Sequence, residues 1–236
     1  AASDVYKRQD IGLVGLAVMG ENLALNLEQK GYRVSLYNRL RENSPQAVDS
    51  FLANKGKNKH FIGTHSPKEF IESLKSPRKI LLMIRAGHPV DEMITTLLPF
   101  LKKGDTIIDG GNSDYRDTQR RENELREKGI FFVGCGIAGG EEGALHGPSI
   151  MPGGSDEIKK EILPVLQNIA AHLDDGTPCC SWIGPDGSGH FVKTVHNGIE
   201  YGDMQLIAEA YSLLNVLQKG DHEATAQTFE SWNKGV

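Results

Sequence analysis

The chain has 236 residues, 39% hydrophobic and 24% charged, with a formal net charge of −5. This is the composition of an ordinary soluble globular protein with room for one or two cores. The negative charge argues against nucleic-acid binding, and no apolar run approaches the roughly 20 residues that span a bilayer.

Residues 1–9 form no cap, strand or amphipathic pattern and lack the apolar stretch of a signal peptide. The run Asp4-Val5-Tyr6-Lys7-Arg8-Gln9 resembles translated adaptor DNA, so these residues are read as non-native. Ile11 to Val14 predict a buried strand, followed by Gly15-Leu16-Ala17-Val18-Met19-Gly20 and a helix to about Lys30, which Gly31 ends. Val34 to Tyr37 predict a second strand. Ser44-Pro45 opens a helix, and Ser66-Pro67-Lys68-Glu69 opens another with a capping box. Next come a strand at Lys79–Ile84, a helix from Pro89 to about Leu101 and a strand at Thr106–Asp109. A helix from Asp114 to Lys128, capped by Asn112 or Ser113 and stopped by Gly129, precedes a strand at Ile130–Val133. Gly134 to Gly140 reads as a loop offering backbone N–H groups to a carboxylate, and Gly147 to Gly154 as a structural turn. Asp156 to about Leu173 predicts a helix, and Cys179 to Ile183 a last strand.

Strand and helix alternate, and the strands are mostly continuous apolar runs. That predicts an α/β fold, a Rossmann-like doubly wound, mostly parallel sheet, followed by the start of an all-α domain. Gly184-Pro185-Asp186-Gly187-Ser188-Gly189 is a punctuated hinge; beyond it the pattern is helical from about His190 to Gln218, with a fresh start at Asp221. The expected domains are therefore 10–186 and 187–236. The second stops inside a helical pattern without a cap, as a truncated domain would.

The loop Gly15-x-Ala17-x-x-Gly20 lies between a strand and a helix, where a dinucleotide fingerprint belongs. About 20 residues on, NAD enzymes carry a carboxylate for the ribose hydroxyl. Here Asn38-Arg39-Leu40 stand instead. Arg39 can grip a 2′-phosphate with charge-assisted bonds of about 1.5–3 kcal/mol, roughly ten- to more than a hundredfold discrimination for NADP. Asp109-Gly110-Gly111-Asn112-Ser113 follows a strand on the side where open α/β sheets bind ligands, which makes Asn112 a ligand candidate. If residues 190–218 are helical, Lys193, His196, Asn197, Glu200 and Tyr201 share one face at i, i+3, i+4, i+7 and i+8. An amine, imidazole, amide, carboxylate and phenol together form a reaction-like stripe rather than a repetitive solvated face. His146 and His190 read as packing or surface residues. Cys135, Cys179 and Cys180 read as ordinary cytosolic thiols, and no metal constellation appears.

These motifs resemble the 6-phosphogluconate dehydrogenase family from Asp10 to Lys234. The resemblance rests on Gly15-Leu-Ala-Val-Met-Gly20, Asp109-Gly-Gly-Asn-Ser113 with Tyr115-Arg-Asp-Thr118, Gly147-Pro-Ser149 with Met151-Pro-Gly-Gly154, and Pro178-Cys-Cys180. Most specific is His190-Phe-Val-Lys193 with Val195-His-Asn-Gly-Ile-Glu-Tyr-Gly-Asp-Met-Gln205. It implies a cytoplasmic, homodimeric enzyme that oxidatively decarboxylates 6-phosphogluconate with NADP. Lys193 matches the general base and Glu200 the acid that protonates the enediol. Gly15, Leu16, Ala17, Val18, Met19, Gly20, Asn38, Arg39, Leu40, Ile84, Arg85, Ala86 and Asn112 match cofactor positions. Asn112, Ala138, Gly139, Gly140, His196, Asn197 and Tyr201 match substrate positions. Arg85 stands where lysine is usual, Ala138 where serine is, and Leu40 where a hydroxyl residue is. The family is about twice as long, so the chain is expected to be a fragment of little or no turnover. The competing readings are another β-hydroxyacid dehydrogenase without decarboxylation, and a non-catalytic NADP-binding module.

Overall fold

The computed structural model describes residues 8–39 and 46–235; Leu40 and the Ser44-Pro45 helix start lie outside them. In chain order the elements are β1 (Ile11–Val14), α1 (Val18–Gln29), β2 (Val34–Tyr37), α2 (Ala47–Ala53), β3 (Phe61–Thr64), α3 (Pro67–Glu72) and β4 (Lys79–Leu82). They continue with α4 (His88–Leu97), β5 (Thr106–Asp109), α5 (Tyr115–Arg126), β6 (Phe131–Ala138), α6 (Gly140–His146), β7 (Ser149–Gly153), α7 (Asp156–Ile169), α8 (Ser188–Leu217) and α9 (His222–Asn233). Among the described residues seven strands form one sheet in the order β3-β2-β1-β4-β5-β6-β7. All neighbours are parallel except β6 and β7.

Alternate strand residues face opposite sides, and here both sides are apolar. Leu13, Leu36, Ile108 and Val133 join one buried cluster; their chain neighbours Val14, Tyr37, Ile107 and Phe132 join the other. Helices α1, α2 and α7 cover the first face through Leu23, Leu27, Phe51, Ile162 and Leu166. Helices α3, α4 and α5 cover the second through Phe70, Val90, Leu97 and Leu125. Each fully buried aliphatic side chain contributes about 1.5–3 kcal/mol, so the paired faces hold the sheet between its helices.

Local signals fall where the residues direct them. Gly31 takes φ +89° and donates to the Glu28 carbonyl, ending α1. The Ser66 hydroxyl accepts from the Glu69 N–H at 3.2 Å, while the Glu69 carboxylate reaches back to the His65 N–H at 3.0 Å, one residue before the cap.

Other expectations are corrected. The helix expected to reach Leu101 ends at Leu97, with a 3-10 turn at Leu98–Phe100, and α7 ends at Ile169. Strand β4 stops at Leu82 rather than Ile84. Helix α5 is capped by Asp114, whose carboxylate accepts from the Arg116 N–H at 2.8 Å, and not by Asn112 or Ser113. Strand β3, unanticipated, pairs on the edge of β2. Gly134 to Ala138 are not a loop but the second half of β6, and the presumed turn at 147–154 contains β7, paired antiparallel to it. Pro152 is tolerated because β7 is the edge strand. Cys179–Ile183 forms no strand: Cys180 makes an isolated bridge with Ile150, and the Ile183 N–H donates to Pro152.

The chain divides into two compact units, one up to Lys193 and one from Thr194. Helix α8 runs without a break through that division. Within the second unit α9 is capped by Asp221, and Gln218 accepts from the buried Thr225 hydroxyl at 2.7 Å.

Candidate active site

The switch in strand order between β1 and β4 opens a crevice beyond their carboxyl ends, where doubly wound folds bind ligands. Gly15 leaves β1 at φ +100°, and a Cβ there would strike the Met83 carbonyl. A Cβ on Gly20 would strike the Gly15 carbonyl, so loop and helix touch main chain to main chain. Helix α1 has no side-chain cap, and its first-turn N–H groups suit an anion. The Asn38 amide oxygen accepts from the Leu16 N–H at 3.2 Å and braces the loop.

Beside this loop lies a cleft of about 320 Å³ lined by Gly15, Leu16, Ala17, Asn38, Arg39, Ile84 and Arg85. These residues, all anticipated, come together; the sequence reading missed Ala47, Met83, Pro89 and Met93 on the same walls. Strand β4 and the Pro89 helix start were legible, and neighbourhood to β1 in the sheet is what brings them here. Val18, Met19, Gly20, Ala86 and Asn112 do not line the cleft: Val18 and Asn112 are exposed, Met19 packs on the core and Gly20 is buried. Two glycines that admit no side chain, open N–H groups and an arginine at the end of β2 fit a dinucleotide carrying a phosphate on its ribose. Arg39 Nη1 sits 2.6 Å from a Glu92 carboxylate oxygen, both side chains partly exposed.

The loop after β5 is built around Asp109. Its carboxylate accepts from the Gly111 N–H at 3.0 Å and the Ser113 hydroxyl at 2.6 Å, leaving Asn112 exposed. Arg121, 1% exposed, crosses beneath this loop. It donates twice to Asp91, at 2.8 and 3.0 Å, and once to the Gly87 carbonyl at 3.0 Å. Those Arg121 bonds, aided by Arg120, hold the Asp91 carboxyl down to about 2. Arg121 thus ties α5 to the loop after β4 and to the first turn of α4, while its Nη1 stands 3.8 Å from the Asp109 carboxylate at the end of β5.

Lys193 is 7% exposed in the first turns of α8. A Cβ on Gly136 would lie 2.5 Å from the Lys193 Cβ, and one on Gly189 would strike the Gly134 and Met151 carbonyls. The Gly134-Cys135-Gly136 stretch is therefore glycine-rich to let a helix lie on the strand, the reason its loop reading failed. His190, 1% exposed, has Nδ1 2.6 Å from the Thr118 hydroxyl and Nε2 3.1 Å from the Asp109 carbonyl. Burial pushes its imidazole below the usual histidine range, against the opposing pull of Asp109. Ala138 is half-buried, Gly139 and Gly140 exposed, at the end of β6. Burial drives the Cys180 thiol up to about 12 and Cys135 also well up, so neither is a thiolate nucleophile. Among the described residues no group of His, Cys, Asp and Glu could hold a metal, and no helix is long and apolar enough to cross a membrane.

In the second unit His196 and Asn197 are half-buried and Glu200 and Tyr201 exposed. His196 Nδ1 lies 3.3 Å from the Asn197 amide oxygen and 3.7 Å from the Glu200 carboxylate.

A family model described as the NAD binding domain of 6-phosphogluconate dehydrogenase matches residues 10–184; one for its C-terminal domain matches residues 189–236. The chain is 54% identical over 229 residues to the decarboxylating 6-phosphogluconate dehydrogenase of Candida albicans, covering 97% of this chain and 43% of that protein. To the NADP(+)-dependent, decarboxylating enzyme of Bacillus subtilis it is 54% identical over 228 residues, covering 97% and 47%. The solved 6-phosphogluconate dehydrogenase of Plasmodium falciparum superposes with TM-score 0.86 at 43% identity, covering 96% of this chain and 48% of that one. A 3-hydroxyisobutyrate dehydrogenase from Salmonella typhimurium, at TM-score 0.70 and 20% identity, shares the fold. The chain spans about half the length of the curated relatives it matches. With the glycine loop, the β5 loop and the Lys193 helix all inside the matched segments, the chain belongs to the 6-phosphogluconate dehydrogenase family.

Proposed function

We propose that this chain carries the NADP site and the acid–base residues of an enzyme that converts 6-phosphogluconate to ribulose 5-phosphate and CO2. The observation that supports this most is the match of both family models, with Lys193, His196, Asn197, Glu200 and Tyr201 all helical residues inside the second. The fit of the cleft to a phosphorylated dinucleotide, and the NADP(+)-dependent relative in Bacillus subtilis, support NADP. Bound there, NADP supplies the acceptor for the hydride that leaves C3 of the substrate.

In this reading Gly15 to Gly20 and the start of α1 hold the pyrophosphate, and Asn38 and Arg39 face the 2′-phosphate, while Ile84, Arg85 and Asn112 border the nicotinamide side. Lys193, as the neutral amine, takes the C3 hydroxyl proton as the alcohol becomes a ketone. Loss of C1 as CO2 then breaks the C1–C2 bond, and the Lys193 ammonium returns its proton to the C3 oxygen. Glu200 donates the proton that adds to C1 of the new chain, the carbon of the enediol next to the lost carboxylate. An amine with an ordinary pKa near 10.4 needs burial or neighbouring cations to act this way, and Lys193 is buried. Gly139, Gly140, His196, Asn197 and Tyr201 bind substrate. A cytoplasmic homodimer accompanies this reading.

The test is release of labelled CO2 from C1-labelled 6-phosphogluconate by the chain extended to the length of its relatives. Equimolar NADPH and CO2, both abolished by Lys193→Met with NADP affinity retained, support the reading. NADPH without CO2 points to a non-decarboxylating hydroxyacid dehydrogenase, and NADP binding without either product to a binding module.

A further inference from the structure

We propose that His190 is the positioning residue for Lys193: its ring pins the first turn of α8 to β5 and α5, and so sets where the amine one turn later stands. The inference deepens, and rests on, the assignment of Lys193 as the base. A buried imidazole loses hydration on both nitrogens and is tolerated only where both are paired. At His190 both are, and by groups of different kind. The Asp109 carbonyl at 3.1 Å can only accept, so Nε2 carries the proton. Burial favours the neutral ring, and in that form Nδ1 accepts from the Thr118 hydroxyl at 2.6 Å. One planar side chain is thereby oriented by bonds to two elements, β5 and α5.

The ring's position is carried along the helix. Residues i and i+3 of a helix share a face, so His190 and Lys193 look the same way. Both meet β6 at glycines two apart on one strand face: a Cβ on Gly134 would lie 2.9 Å from His190 Nδ1, and one on Gly136 would lie 2.5 Å from the Lys193 Cβ. The strand offers no side chain that could hold the helix by interlocking, so the bonds from His190 supply the direction that packing lacks. The ring bonds the Asp109 main chain, while the Asp109 carboxylate shapes the loop that presents Asn112 through its own bonds to Gly111 and Ser113. An apolar residue of similar volume would fill the space, yet take the imidazole donor from the Asp109 carbonyl and leave the Thr118 hydroxyl only its 3.2 Å bond to the Asp114 carbonyl.

The experiment compares His190→Gln, which keeps a donor for Asp109, with His190→Leu, which keeps none, and with Thr118→Val, which removes the second partner together with its bond to the Asp114 carbonyl. The first readout uses the present chain: the rate at which trinitrobenzenesulfonate modifies Lys193, resolved by peptide mass spectrometry, with NADP affinity recorded alongside. Losing a buried hydrogen bond predicts about a two- to tenfold faster reaction in His190→Leu and Thr118→Val, with His190→Gln close to the parent. Should His190→Leu fail to fold, Thr118→Val decides alone. Equal Lys193 rates across folded variants overturn the proposal. The second readout uses the extended chain: kcat for 6-phosphogluconate should fall in His190→Leu and recover in His190→Gln, with KM for NADP unmoved. A parallel rise in KM for NADP would instead mark His190 as merely structural and overturn it. An extended parent that makes no NADPH removes the catalytic reading, while the Lys193 rates still judge the anchor.

Discussion

The two units use apolar side chains in opposite ways. Up to Lys193 the strands and helices bury theirs in two clusters, and even Arg121, Asp109 and His190 are enclosed with partners. From Thr194 onward Thr225 is buried, whereas Ile199, Met204, Leu206, Ile207, Leu213, Val216 and Leu217 are exposed. Helix α8 shows the contrast within one element: Gly189, His190 and Lys193 are buried, and the later turns carry the exposed apolar residues just named. A helix apolar around most of its circumference is a helix made to be enclosed. The nucleotide-binding half is thus complete in its own packing, while the rest of α8 carries a pattern its own unit does not satisfy.

The sharpest way to break this contrast is to unpair a buried charge in the first unit. Asp91→Asn leaves the enclosed Arg121 only the more distant Asp109 and Asp117 carboxylates, at 3.8 and 3.9 Å, and should cost about 3 kcal/mol, read as a lower urea midpoint. The parent's pH profile sharpens it. Because the folded Asp91 carboxyl is held near 2, below an unfolded value of about 3.9, the pair's contribution is full above pH 4. It fades as pH falls through 2, and Asp91→Asn should lack that decline. A parent and variant with the same acid limb would dissolve the claim that this pair secures the unit.

A smaller effect separates the two parts of α8 with one chemical change. Gly189→Ala drives a methyl into the Gly134 and Met151 carbonyls and should destabilise by about 1–3 kcal/mol. Gly198→Ala meets nothing within 4 Å and should stabilise the helix by roughly 0.5–1 kcal/mol. Calorimetric melting shows both, and shifts of the same sign would erase the distinction. The smallest effect lies at the cleft rim. Glu92→Gln frees Arg39 from a partly exposed pair worth about 0.2–1 kcal/mol and should tighten NADP up to roughly fivefold while sparing NAD. Fluorescence titration with both nucleotides measures it; an equal change for both would discount Glu92.

What could be read from the residues alone follows the same divide between local and distant causes. The Gly15–Gly20 loop, the Ser66 and Asp221 helix starts and the Gly31 stop depend on neighbours a few residues away, and each was legible. Strand β3 was not, because Phe61-Ile62-Gly63-Thr64 is a short, partly exposed run with a glycine, made a strand by pairing with β2. The second half of β6 and β7 were hidden by Gly134, Gly136, Pro152 and Gly153, residues that signal a turn until a helix is laid across them. The Lys193 stripe was visible in its spacing, and so was the cleft arginine. The anchoring of His190 was not, since Asp109 and Thr118 are 81 and 72 residues away in sequence.

Where α8 lies on β6, peptide groups face peptide groups across glycines. At Gly189 rotamers cannot adjust this seam, because the Gly134 and Met151 carbonyls have no alternative position to which they can retreat; at Gly134 and Gly136 the enclosed His190 ring and Lys193 stem already fill the space a methyl would need. Drift by a single methyl at Gly134, Gly136 or Gly189 would lift the rod from its bed, so this stretch can change in evolution only through joint replacement on both surfaces.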